Sequence, residues 1–310
     1  MGDAITILGA GAWGEGLAAL GAAAGQRVQV WSRRGALDLA ACLGESRIVV
    51  SAVAMAGVEG AIAHLATLPL PEDLILVTAT KGLDTQTQQT PAQLWQAAFP
   101  HYPIVVLSGP NLSKEIAQGL PAATVVASTD FAAATQVQTC LASDHFRVYL
   151  NCDPIGTELG GTLKNVMAIA AGVCDGLALG TNAKAALLTR ALPEMVRVGV
   201  ALGAQPETFF GLSGLGDLLA TCSSPLSRNY QVGYSLGQGR SLPQILAHLE
   251  GTAEGVNTAA VLLNVAKSHK ITLPITIAVN QLLQGEITPI AAVEALMARE
   301  LKAEGENWWS

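Results

Sequence analysis

The sequence predicts an α/β domain built on a parallel sheet, followed by an all-helical domain. At 310 residues the chain is longer than one hydrophobic core usually supports, so two domains that share a cleft are expected. Up to about Leu150, short β-branched runs alternate with helix-like segments, a pattern typical of parallel strands covered on both faces. Beyond it, Ala, Leu and Val recur at helical spacing. We therefore expect domains at 1-150 and 151-310.

The first domain begins with a strand, a tight turn and a helix. Residues Ala4–Leu8 form an apolar run, and the Ala- and Leu-rich helix after the turn ends near Ala24, just before Gly25. Further apolar runs that predict strands are Val28–Trp31, Ile48–Val53, Leu74–Ala79, Ile104–Leu107 and Ala123–Ala127.

The second domain is predicted to be helical throughout. Its apolar segments at helical spacing cover residues 155–177, 183–203, 254–269 and 288–300. The tail from Glu304, with Trp308 and Trp309, carries no interpretable pattern and is expected to be a frayed end.

Charge and cysteine content exclude several classes of protein. A net charge of −7 without a basic run argues against nucleic-acid and anionic-membrane partners. No apolar stretch reaches membrane-spanning length, and the start of the chain lacks a basic signal region. The cysteines show no CxxC spacing, so neither a disulfide framework nor a metal site is expected, and a cytoplasmic location fits; they are Cys42, Cys140, Cys152, Cys174 and Cys222.

The turn after the first strand carries the pattern GxGxxG. Gly9 allows the tight turn, Gly11 lets a pyrophosphate approach the backbone, and Gly14 permits close helix packing. The strand before it and the helix after it supply the context that a Rossmann-type dinucleotide site requires. Trp13, within the turn, either covers the ligand or packs inward.

Arginines follow the second strand where an NAD-preferring site usually carries an acid. Arg33 and Arg34 stand there, and arginine can bind the 2′-phosphate of NADPH. The alternative is that one of them stacks on adenine or faces solvent. The sequence thus indicates that NADPH is at least accepted.

Lysines, rather than histidines, are the candidate proton carriers. All five histidines lie in segments without other polar motifs and are expected at the surface. Lys81 follows the fourth predicted strand, at the carboxyl edge where open α/β sheets bind ligands. Lys164 lies early in a predicted apolar helix, where a solvated side chain is the alternative. The loop that starts at Ser108 leads into a helix, which is either an anion site or an ordinary capped helix.

A glycine-rich polar stretch stands out in the apolar second half. Residues 209–230 combine several glycines, the carboxylate of Asp217 and the cluster Ser227, Arg228 and Asn229. Arginine with neutral hydrogen-bond donors suits phosphate oxygens, so this stretch predicts a site for a small phosphorylated molecule.

Several of these motifs together resemble one family. Their order and spacing over nearly the whole chain are similar to the bacterial NAD(P)-dependent glycerol-3-phosphate dehydrogenases; the motifs are Gly9–Gly14, Ala79–Leu83, Ser108–Asn111, Leu163–Val166, Gly214–Leu218 and Ser227–Asn229. The resemblance implies reversible hydride transfer between NAD(P)H and dihydroxyacetone phosphate, which gives sn-glycerol 3-phosphate for phospholipid synthesis. A homodimer is compatible with this resemblance.

The resemblance also implies residue roles, with Lys164 as the catalytic proton donor and acceptor. The implied substrate contacts are Lys81, Gly109, Asn111, Lys164, Asp217, Ser227, Arg228 and Asn229. The implied cofactor contacts, beyond the turn glycines Gly9, Gly11 and Gly14, are Trp13, Arg33, Arg34, Lys81, Ser113, Arg228 and Glu254. Asp217 is expected to accept a hydrogen bond from Lys164 or from a substrate hydroxyl.

One segment departs from the family pattern. Between Arg34 and Ile48 the chain is much shorter than is usual, and we expect no helix there, which leaves the NAD-versus-NADP choice open. Two other readings stay open: a two-domain 3-hydroxy-acid-type dehydrogenase, and an NADPH-binding sensor that has lost its chemistry.

Overall fold

The computed structural model describes residues 3–301, so Trp308 and Trp309 lie outside the described residues. The chain forms two compact units. The first unit comprises the residues up to Asp84 together with Gln89–Glu158. The second unit comprises Thr85–Gln88 and the residues from Leu159 onward. The limits 1-150 and 151-310 for independent domains remain a prediction.

The first unit contains a seven-stranded sheet. Its strands are β1 (Ala4–Leu8), β2 (Arg27–Trp31), β3 (Ile48–Ser51), β4 (Ile75–Thr78), β5 (Ile104–Ser108), β6 (Ala122–Ala127) and β7 (Phe146–Asn151). Their order across the sheet is β2-β1-β3-β4-β5-β6-β7, and the first five strands pair in parallel. Each apolar run that predicts a strand contains one, to within two residues at each end.

The sheet is not parallel throughout, which corrects the prediction. Strand β6 pairs antiparallel with β5, and β7 pairs parallel with β6. The connection between β5 and β6 contains only a five-residue helix, Ser113–Ala117. Because β6 is antiparallel to β5, the chain re-enters the sheet from the edge at which β5 ended.

Two elements of the first unit were missed by sequence reasoning. Strand β7 alternates buried and exposed residues, because Arg147 and Tyr149 point away from the core, so it lacks the continuous apolar run of the other strands. The segment between Arg34 and Ile48 does contain a helix, Leu39–Gly44, which contradicts the expectation of none. Asp38 caps this helix by accepting from the Ala41 amide at 3.2 Å.

Helices cover both faces of the sheet. They are α1 (Ala12–Ala23), α2 (Leu39–Gly44), α3 (Val58–Leu65), α4 (Pro91–Ala98), α5 (Ser113–Ala117) and α6 (Phe131–Leu141). Leu17 of α1 and Val137 of α6 belong to one apolar cluster, whereas Val58 of α3 and Trp95 of α4 belong to the other. The central strands β1, β3, β4 and β5 are consequently buried on both sides, as predicted for this sheet.

The second unit is helical. Its helices are α7 (Pro154–Gly176), which begins in the first unit, α8 (Gly180–Ala201), α9 (Asp217–Ser223), α10 (Arg228–Gly237), α11 (Leu242–Leu246), α12 (Glu254–His269), α13 (Pro274–Gln284) and α14 (Pro289–Met297). The predicted helical segments correspond to α7, α8, α12 and α14. Lys164 lies in the middle of α7 rather than early in its helix. Within residues 3–301, no helix is both long and apolar enough to cross a bilayer.

Candidate active site

The glycine turn between β1 and α1 has the geometry that a pyrophosphate site needs. Gly9 has a φ of +116°, which L side chains rarely adopt, and a Cβ on Gly14 would overlap the Gly9 carbonyl oxygen. A Cβ on Gly11 would meet nothing within 4 Å, so the backbone there is open to an approaching group. No side chain caps α1 at Gly11. The N-terminus of α1 is thus suited to an anionic ligand.

Trp13 packs toward the sheet. Its indole Nε1 donates to the Ala79 carbonyl at 3.3 Å, and its ring is half-buried against the apolar cluster on the α1 side. Ala79 directly follows β4, two residues before Lys81. The turn is therefore fastened to the carboxyl edge of β4.

Arg33 and Arg34 are exposed directly after β2. A turn closes there, in which the Gly35 amide donates to the Ser32 carbonyl at 2.9 Å. The turn carries no carboxylate, so the charge at the end of β2 is positive.

A second polar group in the first unit lies at the carboxyl ends of β4 and β5. Lys81 Nζ donates to the Gly109 carbonyl at 3.2 Å, and Asn111 Nδ2 donates to Thr124 Oγ1 at 2.8 Å. A Cβ on Gly109 would be 3.0 Å from Thr124 Cα, so only glycine fits easily there. Within the described residues, the buried Asn111 Oδ1 has no hydrogen-bond partner. Ser113 is the first residue of α5.

Lys164 is buried and forms a hydrogen-bonded triangle with Asp217 and Thr221. Its Nζ donates to Asp217 Oδ1 at 3.0 Å and to Thr221 Oγ1 at 2.5 Å, and Thr221 Oγ1 donates to Asp217 Oδ1 at 3.0 Å. The side chains of Lys164 and Asp217 are only 8% and 2% exposed. The structure confirms that Asp217 accepts from Lys164, and it rules out the solvated alternative for this lysine.

A π-helical turn presents Asp217 to Lys164. Residues Leu212–Gly216 form this turn, and α9 begins at Asp217 immediately after it. A Cβ on Gly160 of α7 would lie 2.6 Å from the Ser213 carbonyl oxygen, so the turn packs directly on the α7 backbone. The glycines of this stretch therefore bring α9 close to α7, and π-helical turns are frequent at functional sites.

The Ser227, Arg228 and Asn229 cluster forms the first turn of α10. Ser227 is the N-cap, and its Oγ accepts from the Tyr230 amide at 3.3 Å. Asn229 is buried; its Nδ2 donates to Asn165 Oδ1 and its Oδ1 accepts from the Gly255 amide, both at 2.9 Å. The Asn229 carboxamide therefore links α10 to α7 and to α12 by one hydrogen bond each.

The other two predicted contacts of this unit lie beside that turn. Arg228 is exposed, and its guanidinium lies so close to Gly251 that it would have to move if residue 251 carried a Cβ. Gly251 has a φ of +84°, which also favours glycine. Glu254 is half-buried at the first position of α12.

Sequence reasoning missed two residues of the second unit. Thr221 lies four residues after Asp217 in α9, so both side chains share one helix face, and this spacing was the available signal. Asn165 follows Lys164 and links it to the α10 cluster through Asn229.

The buried thiol beside the triangle is not a second reactive group. Burial raises the pKa of the Cys222 thiol to about 12, although the nearby Lys164 ammonium lowers it. The thiol therefore stays protonated at neutral pH. The five histidines are all exposed, as predicted.

The chain is similar to glycerol-3-phosphate dehydrogenases over nearly its whole length. The family models described as the N-terminus and C-terminus of NAD-dependent glycerol-3-phosphate dehydrogenase match residues 34–134 and 153–294. The NAD(P)+ glycerol-3-phosphate dehydrogenase of Synechocystis sp. is 63% identical over 98% of this chain and 96% of its own length. That of Synechococcus sp. strain JA-3-3Ab is 64% identical over 97% of each chain.

Solved structures agree with these matches. The crystal structure of glycerol-3-phosphate dehydrogenase from Coxiella burnetii is 33% identical, has a TM-score of 0.91 and covers 96% of this chain and 99% of its own. A Plasmodium falciparum glycerol-3-phosphate dehydrogenase, at 17% identity and a TM-score of 0.87, shares the fold. The chain therefore belongs to the NAD-dependent glycerol-3-phosphate dehydrogenase family, an oxidoreductase family that acts on a CH–OH group with NAD(H) or NADP(H).

Proposed function

We propose that this chain reduces dihydroxyacetone phosphate reversibly to sn-glycerol 3-phosphate, at the expense of NADPH or NADH and one proton. The observation that carries the proposal is the buried triangle of Lys164, Asp217 and Thr221. A bound nicotinamide supplies a hydride to the carbonyl carbon, and a proton must reach the carbonyl oxygen. The product has the chemistry of a phospholipid backbone precursor.

Lys164 is the group we assign to that proton transfer. As charge develops on the carbonyl oxygen, the ammonium donates its proton, and in the reverse direction the amine accepts it. Asp217 and Thr221 hold the ammonium by the hydrogen bonds described above, which fixes its direction before reaction. The lysine regains its proton from solvent after turnover.

The first turn of α10 is proposed to bind the substrate phosphate. Arg228 supplies the charge and a planar pair of donors. Ser227 keeps its hydroxyl hydrogen and Asn229 keeps a second amide hydrogen beyond the hydrogen bonds described above, so both can donate to phosphate oxygens. In the first unit, Lys81, Gly109 and Asn111 are proposed as substrate contacts, because the partnerless Asn111 Oδ1 can accept from a hydroxyl.

The cofactor is proposed to lie along the carboxyl edge of the first unit. The turn from Gly9 through Gly11 to Gly14 would hold the pyrophosphate, and Arg33 with Arg34 would bind a 2′-phosphate. The remaining proposed cofactor contacts are Trp13, Lys81, Ser113, Arg228 and Glu254.

Family membership favours this reading over the two alternatives, the 3-hydroxy-acid-type dehydrogenase and the sensor without chemistry. The Lys164 triangle also supports an active enzyme, since a sensor would have no use for a buried ammonium that costs free energy to desolvate. A cytoplasmic location and a homodimer belong to the same proposal; the location agrees with five free cysteines.

The test compares NADPH oxidation by wild type and by Lys164→Ala with dihydroxyacetone phosphate. We expect kcat to fall by about 10²- to 10⁴-fold because the general acid is lost. The matched control is Lys267→Ala, an exposed lysine of α12, which should retain wild-type turnover. Undiminished turnover without Lys164 would contradict the mechanism, and absence of turnover in wild type at every pH would favour the sensor.

A further inference from the structure

A polar cluster in the second unit joins three helices at one carboxylate oxygen. Tyr230 Oη of α10 donates to Asp175 Oδ2 of α7 at 2.6 Å, and Lys184 Nζ of α8 donates to the same oxygen at 2.5 Å. The Lys184 ammonium also lies 5.3 Å from the centroid of the Tyr230 ring. Asp175 follows Lys164 by about 16 Å along α7, so this cluster is separate from the Lys164 triangle.

Helix α10 packs along α7 at backbone distance. A Cβ on Gly233 would overlap the Ile169 carbonyl, and a Cβ on Gly237 would lie 2.9 Å from the Val173 carbonyl oxygen. Residues four apart on α10 therefore meet residues four apart on α7, in the pairs Asn229 with Asn165, Gly233 with Ile169, and Gly237 with Val173. The two helices run in the same direction, and Gly172 and Gly176 of α7 also lie against the α10 backbone.

Such a glycine contact brings the helices close but offers few side chains that resist sliding or rotation. The position of α10 along and around α7 must then be fixed by directional contacts, such as hydrogen bonds, at the edges of the glycine row. Two are present at consecutive residues of α10: the Asn229 bond to Asn165 and the Tyr230 bond to Asp175. Tyr230 is two residues after Arg228, in the same turn.

We propose that Tyr230, held by Asp175 and Lys184, is a positioning residue that sets the rotation of the first turn of α10 and thereby aims Arg228 at the substrate phosphate. The inference rests on the proposed function, because it requires Arg228 to bind that phosphate. Lys184 balances the charge of Asp175, so the carboxylate that receives the tyrosine hydrogen bond is not isolated. Burial, followed by the Asp175 carboxylate, raises the pKa of the Tyr230 hydroxyl, which keeps it a donor at neutral pH.

The test measures binding of sn-glycerol 3-phosphate by calorimetry together with the KM for dihydroxyacetone phosphate and for NADPH. Tyr230→Phe removes the hydroxyl and keeps the ring. We expect its affinity for glycerol 3-phosphate to fall about three- to tenfold. The KM for NADPH should rise less, because Arg228 is only one of many proposed cofactor contacts. The matched control is Tyr234→Phe, one turn later on α10 and stacked on Tyr230, which should bind like wild type.

Asp175→Asn keeps the shape of the carboxylate and removes its charge, and it decides the question if Tyr230→Phe does not fold. We expect the same fall in affinity, and a double variant no weaker than the weaker single variant, since both changes break one contact. Wild-type affinity in the folded variants overturns the inference and leaves the proposed function intact. An equal loss of NADPH binding also overturns the inference, because general damage to the fold would weaken the binding of both ligands. Wild-type protein that binds no glycerol 3-phosphate, or Arg228→Ala with wild-type affinity, overturns the phosphate assignment and this inference with it.

Discussion

Lys164 and Asp217 form an ion pair in a place that water barely reaches. Removal of both ions from water is expensive, and the geometry of the triangle offsets that cost only while all three members are present. Thr221 contributes by accepting from the ammonium and donating to the carboxylate. At the residue scale, therefore, the pair is expected to be sensitive to loss of a single charge.

Asp217→Asn tests this expectation because the amide is nearly the same shape as the carboxylate. We expect kcat to fall by about 10²-fold or more, since the proton donor loses the group that orients it. We also expect the free energy of unfolding to fall by about 3 kcal/mol, because the buried Lys164 loses the carboxylate of its ion pair. Steady-state kinetics and urea unfolding are the measurements.

Asp144→Asn is the control for Asp217→Asn, since Asp144 is exposed in the first unit. The KM for NADPH should stay near the wild-type value in both variants. A rise in that KM by the same factor as the loss of turnover would argue against a role confined to Lys164.

At the scale of elements, the contact between α7 and α10 depends on glycine rather than on large apolar side chains. Replacement of glycine by alanine inside a helix usually stabilises it by about 0.5–1 kcal/mol. Gly233→Ala should do the opposite here, because its Cβ would overlap the Ile169 carbonyl. We expect a loss of about 1–3 kcal/mol in the free energy of unfolding.

Gly60→Ala is the matched control for this contact. Gly60 is an exposed helical glycine of α3, and a Cβ there would meet nothing within 4 Å. Gly60→Ala should gain the stability that alanine brings to a helix, without the steric overlap that outweighs this gain in Gly233→Ala. Thermal unfolding that placed Gly233→Ala at or above wild type would show that the two helices do not touch at this position.

The start of α7 carries a buried carboxyl group that should make stability depend on pH. Glu158 accepts from the Ala92 amide at 3.0 and 3.2 Å, at the N-terminus of α4. Burial raises the pKa of this carboxyl to about 8, although bonds from Thr90 and Ala92 lower it. A folded-state pKa above that of the unfolded chain means that the folded state holds the proton more tightly.

Stability linked to Glu158 is therefore fully present below about pH 4.5 and is lost as pH rises toward about 8. Glu158→Gln cannot titrate, so its stability relative to wild type should rise over this window, by about 1.4 kcal/mol per pH unit at most. Urea unfolding from pH 5 to pH 9 measures it. Glu59→Gln, an exposed glutamate of α3, is the control, and parallel curves for wild type and Glu158→Gln would contradict the prediction.

At the scale of the whole molecule, the two units carry different parts of the proposed chemistry. The glycine turn and the arginines after β2 belong to the first unit, whereas the Lys164 triangle and the first turn of α10 belong to the second. The net charge of −7 opposes anionic ligands in general, so local groups such as Arg33 and Arg228 must supply the attraction.

This division predicts which elements NADPH protects from hydrogen exchange. Hydrogen exchange should slow in β1, α1 and the end of β2 when NADPH is added, by up to about 2.7 kcal/mol of opening free energy at one hundred times Kd. Arg33→Ala should weaken the protection by NADPH more than that by NADH, since only NADPH has the 2′-phosphate. Equal weakening for both cofactors would mean that Arg33 does not read the 2′-phosphate.

Much of this molecule could be predicted from local patterns. The alternation of apolar runs predicted the strands β1 to β6, because a strand buried on both faces leaves a continuous apolar run. The glycine turn was predictable because backbone conformation and close approach admit only glycine at Gly9 and Gly14. Lys164 and Asp217 stood out because charged residues are rare in apolar surroundings, and the Lys164 role itself came from family resemblance.

What only the tertiary structure decided are the relations between distant residues. The antiparallel direction of β6 is set by its pairing with β5, which no local pattern in the sequence reveals, and the half-exposed edge strand β7 has no continuous apolar run. The helix Leu39–Gly44 depends on burial of its few apolar residues. Thr221 and Tyr230 acquire their partners only when α9 and α10 pack on α7. Sequence by itself determines which residues can form a turn or carry a charge, whereas hydrogen-bond partners are set by packing between elements far apart in the chain.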